Sequence, residues 1–234
     1  SNGLSPLVTA LISIGCLIPA VVFHEVAHGW VANKLGDPTA RAMGRLTLNP
    51  IKHIDPFGTV ILPLLLASMG LPVFGYAKPV PYNPRNFVAA LEPPVSREQA
   101  VRTLKRGELL TGLAGPATNF VLAPIGAAIT WGAVALQDVS PVLAGAIYIV
   151  FSFFVIINLV LMFFNLLPIP PLDGSSIIAV FLPGKWLHHY YGLQRYGMVI
   201  LFGILLLGPR LLGFDPIGWY FDKTALSIAG ILLP

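Results

Sequence analysis

Charge is what this sequence lacks most. Of its 234 residues only 10% are Asp, Glu, Lys or Arg, against roughly a quarter in an ordinary globular domain. By contrast 56% are hydrophobic, and the mean hydropathy is +0.79. The shortage is patterned. No Asp, Glu, Lys or Arg occurs in residues 1–24, 56–77, 109–137 or 139–172. Each run is long enough to cross a hydrocarbon core, which takes about 20 apolar residues as helix. A soluble globular chain is excluded, and a polytopic membrane protein is indicated. Cysteine is almost absent too. Cys16 stands alone in the first apolar run, which excludes a disulfide framework and a thiolate zinc site. The N-terminal stretch lacks the charged n-region and small-residue cleavage site of a signal peptide. No internal repeat and no low-complexity tract is present. The net charge of +4 and isoelectric point near 9.3 do not indicate a nucleic-acid partner. The basic residues flank apolar runs, where cytoplasmic loops carry them.

Residues 4 to about 35 read as one long helix that Pro19 can kink without ending and that Gly36 can cap. "RLTL" is expected to form a short strand, and "NPIKHIDPFG" is rich in turn residues. Residues 56–77 are apolar enough to cross, yet both flanks are basic. Lys34, Arg41, Arg45 and Lys52 precede them, and Lys78, Arg85, Arg97, Arg102, Lys105 and Arg106 follow. The positive-inside rule prefers both flanks on the cytoplasmic side, which predicts an element that enters and returns. "AKPVPYNPRNF" is extended by its prolines, and "SREQAVRTLKRGE" reads as a charged cytoplasmic helix. Spans follow at residues 109–136 and 143–167, joined by an external "QDVSP". The "GKWLHHYYGLQRYG" loop suits an interface, with further apolar segments at 198–212 and 225–234.

Into the first apolar run are set His24, Glu25 and His28. Ionisable groups at membrane depth are costly, so they imply a function. Two histidines four apart share one helix face, a spacing that suits two nitrogens on one Zn²⁺ at about 2.0–2.1 Å. Glu25 lies off that face, where it can take a proton from an attacking water; this is the H-E-x-x-H arrangement of zinc hydrolases. A catalytic zinc usually takes three protein ligands, and the later apolar segments supply one further carboxylate, Asp173. Asp173 before Gly-Ser-Ser also suits a helix N-cap, and the two roles are compatible. If the helices carrying these ligands run parallel, an odd number of crossings separates them, which again favours re-entry of residues 56–77. Asn119 in "GPATNF" divides evenly between a structural bond between helices and a substrate contact. His53 is expected to be solvated, and His188 and His189, on different helix faces, are not expected to bind metal.

"FHEVAHGWVANKLGD", "GRLTLNP", "YAKPVPYNP", "GPATNF" and "FNLLPIPPLDG" together closely resemble the site-2 protease family of intramembrane zinc metalloproteases (peptidase family M50), in its compact bacterial branch without a PDZ module. The resemblance covers residues 20 to about 175. It implies one catalytic zinc held by His24, His28 and Asp173, with Glu25 as general base and acid. It further implies that Asn165 contacts the substrate or the developing oxyanion. "GTVILP…GYAKPVP" falls where the family places a membrane-embedded β-hairpin that receives the substrate as an added strand.

The expected fold is therefore an all-α polytopic bundle of about 4–6 transmembrane helices with a small β-hairpin or re-entrant element. It forms a single domain over 1–234, with a catalytic core at about 4–183 and a C-terminal membrane segment at 184–234. The expected function is intramembrane endoproteolysis of transmembrane proteins in a bacterial cytoplasmic membrane. A zinc or ion transporter would need polar groups along a whole path, whereas here they gather at one depth. A di-iron oxygenase needs roughly twice the histidines, and an inactive scaffold fits poorly with an intact Glu25.

Overall fold

Among the described residues, three stretches are helices both long and apolar enough to cross a bilayer: α1 (Pro6–Lys34), α4 (Arg97–Ala135) and α5 (Pro141–Asn165). The computed structural model describes residues 4–62, 65 and 76–234. Between α1 and α4 lie α2 (Thr39–Ala42), a 3-10 turn (Pro50–His53), a π-helical turn (Pro56–Ile61) and α3 (Arg85–Ala89). After α5 come α6 (Asp173–Phe181), α7 (Gly184–Gln194), α8 (Gly197–Phe202), α9 (Gly208–Leu212), α10 (Pro216–Phe221) and α11 (Ser227–Leu232).

Two expectations about the architecture are corrected. Among the described residues the spans number three, or four if Gly184–Gln194 and Gly197–Leu212, bent by 74°, count as one; the sequence reading had 4–6. The C-terminal apolar stretch is helical over Gly197–Leu212 and again over 216–232, each with a π-helical turn inside it (Gly203–Leu207 and Asp222–Leu226). The break between them falls where Gly213 turns to φ +70° ahead of Pro216, and both helices are shorter than the roughly 20 residues a full crossing takes. The described residues also contain no strand. "RLTL" is irregular, and the expected hairpin begins instead as the π-helical turn, with Asp55 accepting from the Gly58 N–H at 2.7 Å. On its return side Pro79, Pro81 and Pro84 remove the donors a ladder would use.

α1 starts with Pro6 behind Ser5, whose hydroxyl accepts from the Val8 N–H, and it runs unbroken through Pro19. It ends as Gly36 turns to φ +100° and the Asp37 N–H reaches the Ala32 carbonyl at 3.0 Å, a Schellman closure that glycine permits. Asp37 itself is buried and accepts from Thr39, Asn83 and Asn86. Burial alone would raise its pKa, but these donors outweigh it and hold the carboxyl below its ordinary value. The end of α1 is thereby tied to the segment that leads into α3.

The charged helix and the following span, expected as separate elements, are one 39-residue helix, α4, about 58 Å long at 1.5 Å per residue. It outreaches the bilayer, so its charged first turns project beyond the core. Side-chain pairing shows the direction of the helices. His24 meets Asn119 and His28 meets Thr111, so α1 and α4 are antiparallel. Asn119 meets Asn158, and a side chain at Gly126 would meet Phe154 and Val155, so α4 and α5 are antiparallel as well. α1 and α5 therefore run parallel, and the chain re-enters α4 from the side on which α1 ended. The intervening residues make no net crossing. Consistently, the two ends of the 56–77 stretch meet: Tyr76 N–H donates to the Gly58 carbonyl at 3.1 Å and Lys78 N–H to the His53 carbonyl at 2.9 Å. The expected turn itself falls on residues 63, 64 and 66–75, outside the described residues.

Small residues fill the helix contacts while large ones face outward. Ala20, Ala32, Ala123, Ala127 and Ala133 are buried, whereas Leu7, Leu11, Phe120, Val121 and Trp131 are each more than half exposed. A soluble protein buries its large apolar side chains. The reverse pattern belongs to helices whose outer surface meets lipid and whose inner surfaces approach closely through small residues.

Candidate metal centre

His24 and His28 are both buried on the α1 face that meets α4, and Asp173 is the first residue of α6. The N-cap position is Leu172, so Asp173 stands one residue inside the helix and is not the cap the sequence suggested. The turn that delivers it depends on Gly174, whose missing Cβ would otherwise run into the Leu166 and Leu167 carbonyl oxygens. The three residues form one cluster: His24 Nε2 to His28 Nε2 is 3.1 Å, and Asp173 Oδ2 lies 3.0 Å and 3.2 Å from those nitrogens. It is the one group of this kind among the described residues.

Hydrogen bonds on the far side of each ring decide what those nitrogens are. His28 Nδ1 lies 2.6 Å from the Thr111 carbonyl oxygen, which can only accept, so Nδ1 carries the proton. His24 Nδ1 lies 2.6 Å from Asn119 Oδ1. The Asn119 amide spends its Nδ2 hydrogens on the Ala20 carbonyl at 3.3 Å and on Asn158 Oδ1 at 2.8 Å. The Asn158 Nδ2 in turn donates to the Phe154 carbonyl at 2.8 Å. With backbone acceptors at both ends, the relay runs one way only, and His24 Nδ1 is a donor. In the neutral rings both Nε2 atoms are then lone pairs, pointed at each other and at a carboxylate oxygen. Asp173 Oδ2 is buried without a hydrogen-bond donor.

Three converging acceptors repel one another unless a cation lies among them. The size also fits. Three ligand atoms on one face of a zinc tetrahedron, with bonds of about 2.0–2.1 Å, lie about 3.3–3.4 Å apart, close to the 3.0–3.2 Å seen here. Two imidazoles and one carboxylate leave the fourth position open. Glu25 stands beside the cluster without joining it, its Oε2 accepting the Val80 N–H at 2.9 Å.

Room for the cluster comes from a missing side chain. A Cβ at Gly115 on α4 would lie 2.5 Å from His24 Nε2 and closer still to His28 Nε2. Thr111, Gly115 and Asn119 occupy one face at four-residue intervals: a rest for His28, a gap, and a rest for His24. Gly115, Asn158 and the Thr111 carbonyl were not singled out in the sequence. Asn158 carried a legible signal, being an amide within a charge-free run, the same signal that drew attention to Asn119. The gap at Gly115 carried none beyond a glycine in a helix.

Other expected residues fall as follows. Asn119 is fully buried and bonded to His24. Asn165 closes α5, its amide donating to the Leu161 carbonyl at 3.0 Å. His53 is buried rather than solvated, with Nε2 at 2.8 Å from the Thr47 carbonyl, because the chain folds back over its 3-10 turn. His188 and His189 lie within a helix, α7, where a loop was expected, and stand outside the cluster. Cutting Asn119 to Ala frees one ring of its orientation, and the expected result is a zinc affinity lower by about 10–100-fold. Competition with a chromogenic chelator measures it; unchanged affinity would remove Asn119 from the site.

A family model described as Peptidase family M50 matches residues 130–208. The chain is 37% identical over 195 residues to "Putative zinc metalloprotease YwhC" of Bacillus subtilis, spanning 82% of this chain and 78% of that one. Similarity also extends to two proteins named "Putative zinc metalloprotease Rip2". The one from Mycolicibacterium smegmatis is 28% identical over 89% of this chain and 72% of its own. The one from Mycobacterium tuberculosis is 28% identical over 94% and 76%. No solved structure matches the chain.

Proposed function

Because this chain belongs to peptidase family M50 and is a membrane zinc metalloprotease, we propose that it is an intramembrane endopeptidase. It cuts peptide bonds in or near the transmembrane segments of other membrane proteins, as regulated intramembrane proteolysis requires, in a bacterial cytoplasmic membrane. The observation that carries this reading is the convergence of His24 Nε2, His28 Nε2 and Asp173 Oδ2 within 3.2 Å of one another among helices apolar enough to cross a bilayer.

In this reading His24, His28 and Asp173 hold the zinc. When bound, zinc supplies a Lewis acid that brings the pKa of water toward neutrality and polarises a carbonyl. The chain's own residues do the rest. Glu25 accepts the proton of the attacking water as the new C–O bond forms, and delivers it to the amine as the C–N bond breaks. Asn119, through His24, keeps one ligand in its orientation. Asn165, at the end of α5, is assigned to the substrate or the developing oxyanion. A helical substrate hides its carbonyls in i→i−4 bonds, so a few of its residues must unwind before attack.

The test is a purified protein in liposomes, offered a peptide with a transmembrane segment and a water-soluble peptide of the same flanking sequence. Product masses should place the cut in or beside the apolar segment, with the soluble peptide left intact. Removing zinc with 1,10-phenanthroline should abolish the cut, and added zinc should restore it. Cleavage confined to the soluble peptide, or surviving zinc removal, would sink the proposal.

A further inference from the structure

Residues Tyr76 to Pro81 pass against α1 as a non-helical strap whose backbone is tied down at six points. Tyr76 N–H reaches the Gly58 carbonyl at 3.1 Å, and Lys78 N–H reaches the His53 carbonyl at 2.9 Å. The Thr59 hydroxyl donates to the Tyr76 carbonyl at 2.8 Å. The buried Arg45 donates through Nη2 to the Lys78 carbonyl at 2.8 Å and the Pro79 carbonyl at 3.3 Å. Pro79 and Pro81 have no N–H, so Val80 supplies the sole backbone donor between Lys78 and Tyr82. That donor goes to Glu25 Oε2 at 2.9 Å. The Val80 side chain is buried in the space that Gly29 leaves on α1, where a Cβ would lie 2.6 Å from Val80 Cγ1.

From this we infer that the Val80 N–H is the group that positions Glu25, and that Arg45 is a positioning residue acting through the strap. The inference rests on Glu25 being the general base. A glutamate's terminal torsion is broad and roughly two-fold, so an unheld carboxylate would sample many orientations beside the cluster. One charge-assisted hydrogen bond to Oε2 leaves Oε1 as the oxygen that meets the water. Arg45 sets the height of the strap by gripping the two carbonyls immediately before Val80. The prolines on either side also keep this stretch from serving a substrate as a ladder edge: its donor is committed to the base. An added substrate strand must therefore pair elsewhere than at Val80 N–H.

Val80 precedes a proline and is biased to β or PPII backbone, which a proline there can also adopt. Val80→Pro therefore suits that backbone region but removes the donor, and its ring carbon takes the place of the hydrogen that met Glu25 Oε2, so the carboxylate must move away. The expected result is a kcat lower by about 10–100-fold, with the zinc content and KM of the wild-type protein. Val80→Ala keeps the N–H and removes only packing, so its kcat should exceed that of Val80→Pro by at least about five-fold. Arg45→Met, which keeps the stem and removes the donors, should lower kcat in the same way, and Arg45→Lys should recover part of it. Glu25→Gln runs alongside: if it retained cleavage, the base assignment would fail, not the strap. If Glu25→Gln is inactive and Val80→Pro turns over like wild type, the positioning inference is overturned. Should Val80→Pro not fold, Arg45→Met decides by the same criterion, since wild-type kcat with zinc bound overturns it.

Discussion

Glu25→Gln is expected to lower cleavage of a transmembrane peptide by about 10²–10⁴-fold, the usual contribution of a positioned acid–base group, while the protein keeps its zinc. The substitution is nearly isosteric. Glutamine retains an oxygen that can accept the Val80 N–H, now at 2.9 Å from Glu25 Oε2, so the side chain can keep its place. What it loses is the ability to take a proton. None of the proposed ligand atoms belongs to Glu25, and the rings of His24 and His28 are held from behind by Asn119 and the Thr111 carbonyl. Zinc content by atomic absorption, measured with turnover in the same preparation, separates the two effects. Loss of both would mean that Glu25 is a ligand or a structural prop. Survival of cleavage would remove the hydrolytic mechanism assigned to it.

Gly115→Ala is expected to be as damaging, although it adds one methyl group. The new carbon would stand 2.5 Å from His24 Nε2 and nearer still to His28 Nε2, inside any real carbon–nitrogen contact distance. The rings cannot retreat, because their Nδ1 atoms are bonded to the same helix at Asn119 and Thr111. If α4 withdraws instead, it takes both partners with it and the ligand triangle opens. Overpacking of this kind costs about 1–3 kcal/mol where the surroundings can shift. Here the shift falls on the metal site, and zinc affinity should drop by at least about 100-fold, the upper range for losing outer-shell support. The control lies on the same helix: a Cβ at Gly132 meets nothing within 4 Å, so Gly132→Ala should keep zinc, activity and stability. Equal zinc content in the two variants would refute the close approach at Gly115.

Much of the candidate site was legible because it depends on residue type and local spacing. A pair of histidines four apart on one helix, a glutamate beside the first, and a lone carboxylate after a long charge-free run are visible in one dimension. Each is expensive at membrane depth and so stands out. The charges on either side of residues 56–77 likewise indicated that the chain returns to the side it left, and the antiparallel pairing of α1 with α4 agrees. Errors arose where local preference met a competing constraint. "RLTL" has the alternation of a strand but no partner ladder among the described residues. His53 sits among charges in the sequence, yet the returning strap buries it, with Lys78 N–H on its own carbonyl. The apolar runs after residue 197 have the composition of spans, but the helix over Gly197–Leu212 ends at Gly213, with φ +70°, before it reaches the length of a full crossing.

Composition and the order of residues thus determined that the chain lives in a bilayer, that its polar chemistry sits at one depth, and which side chains can supply it. Those are properties of single residues and of helical repeat, and they need no knowledge of neighbours. The tertiary structure alone decided how those side chains are held. Thr111, Gly115 and Asn119 become a rest, a gap and a rest only because α4 lies antiparallel against α1 in one register. Val80 N–H meets Glu25 across 55 residues of chain, in a strap whose neighbouring carbonyls Arg45 holds. Contacts between helices depend on packing and direction, which no spacing along a single strand of sequence encodes.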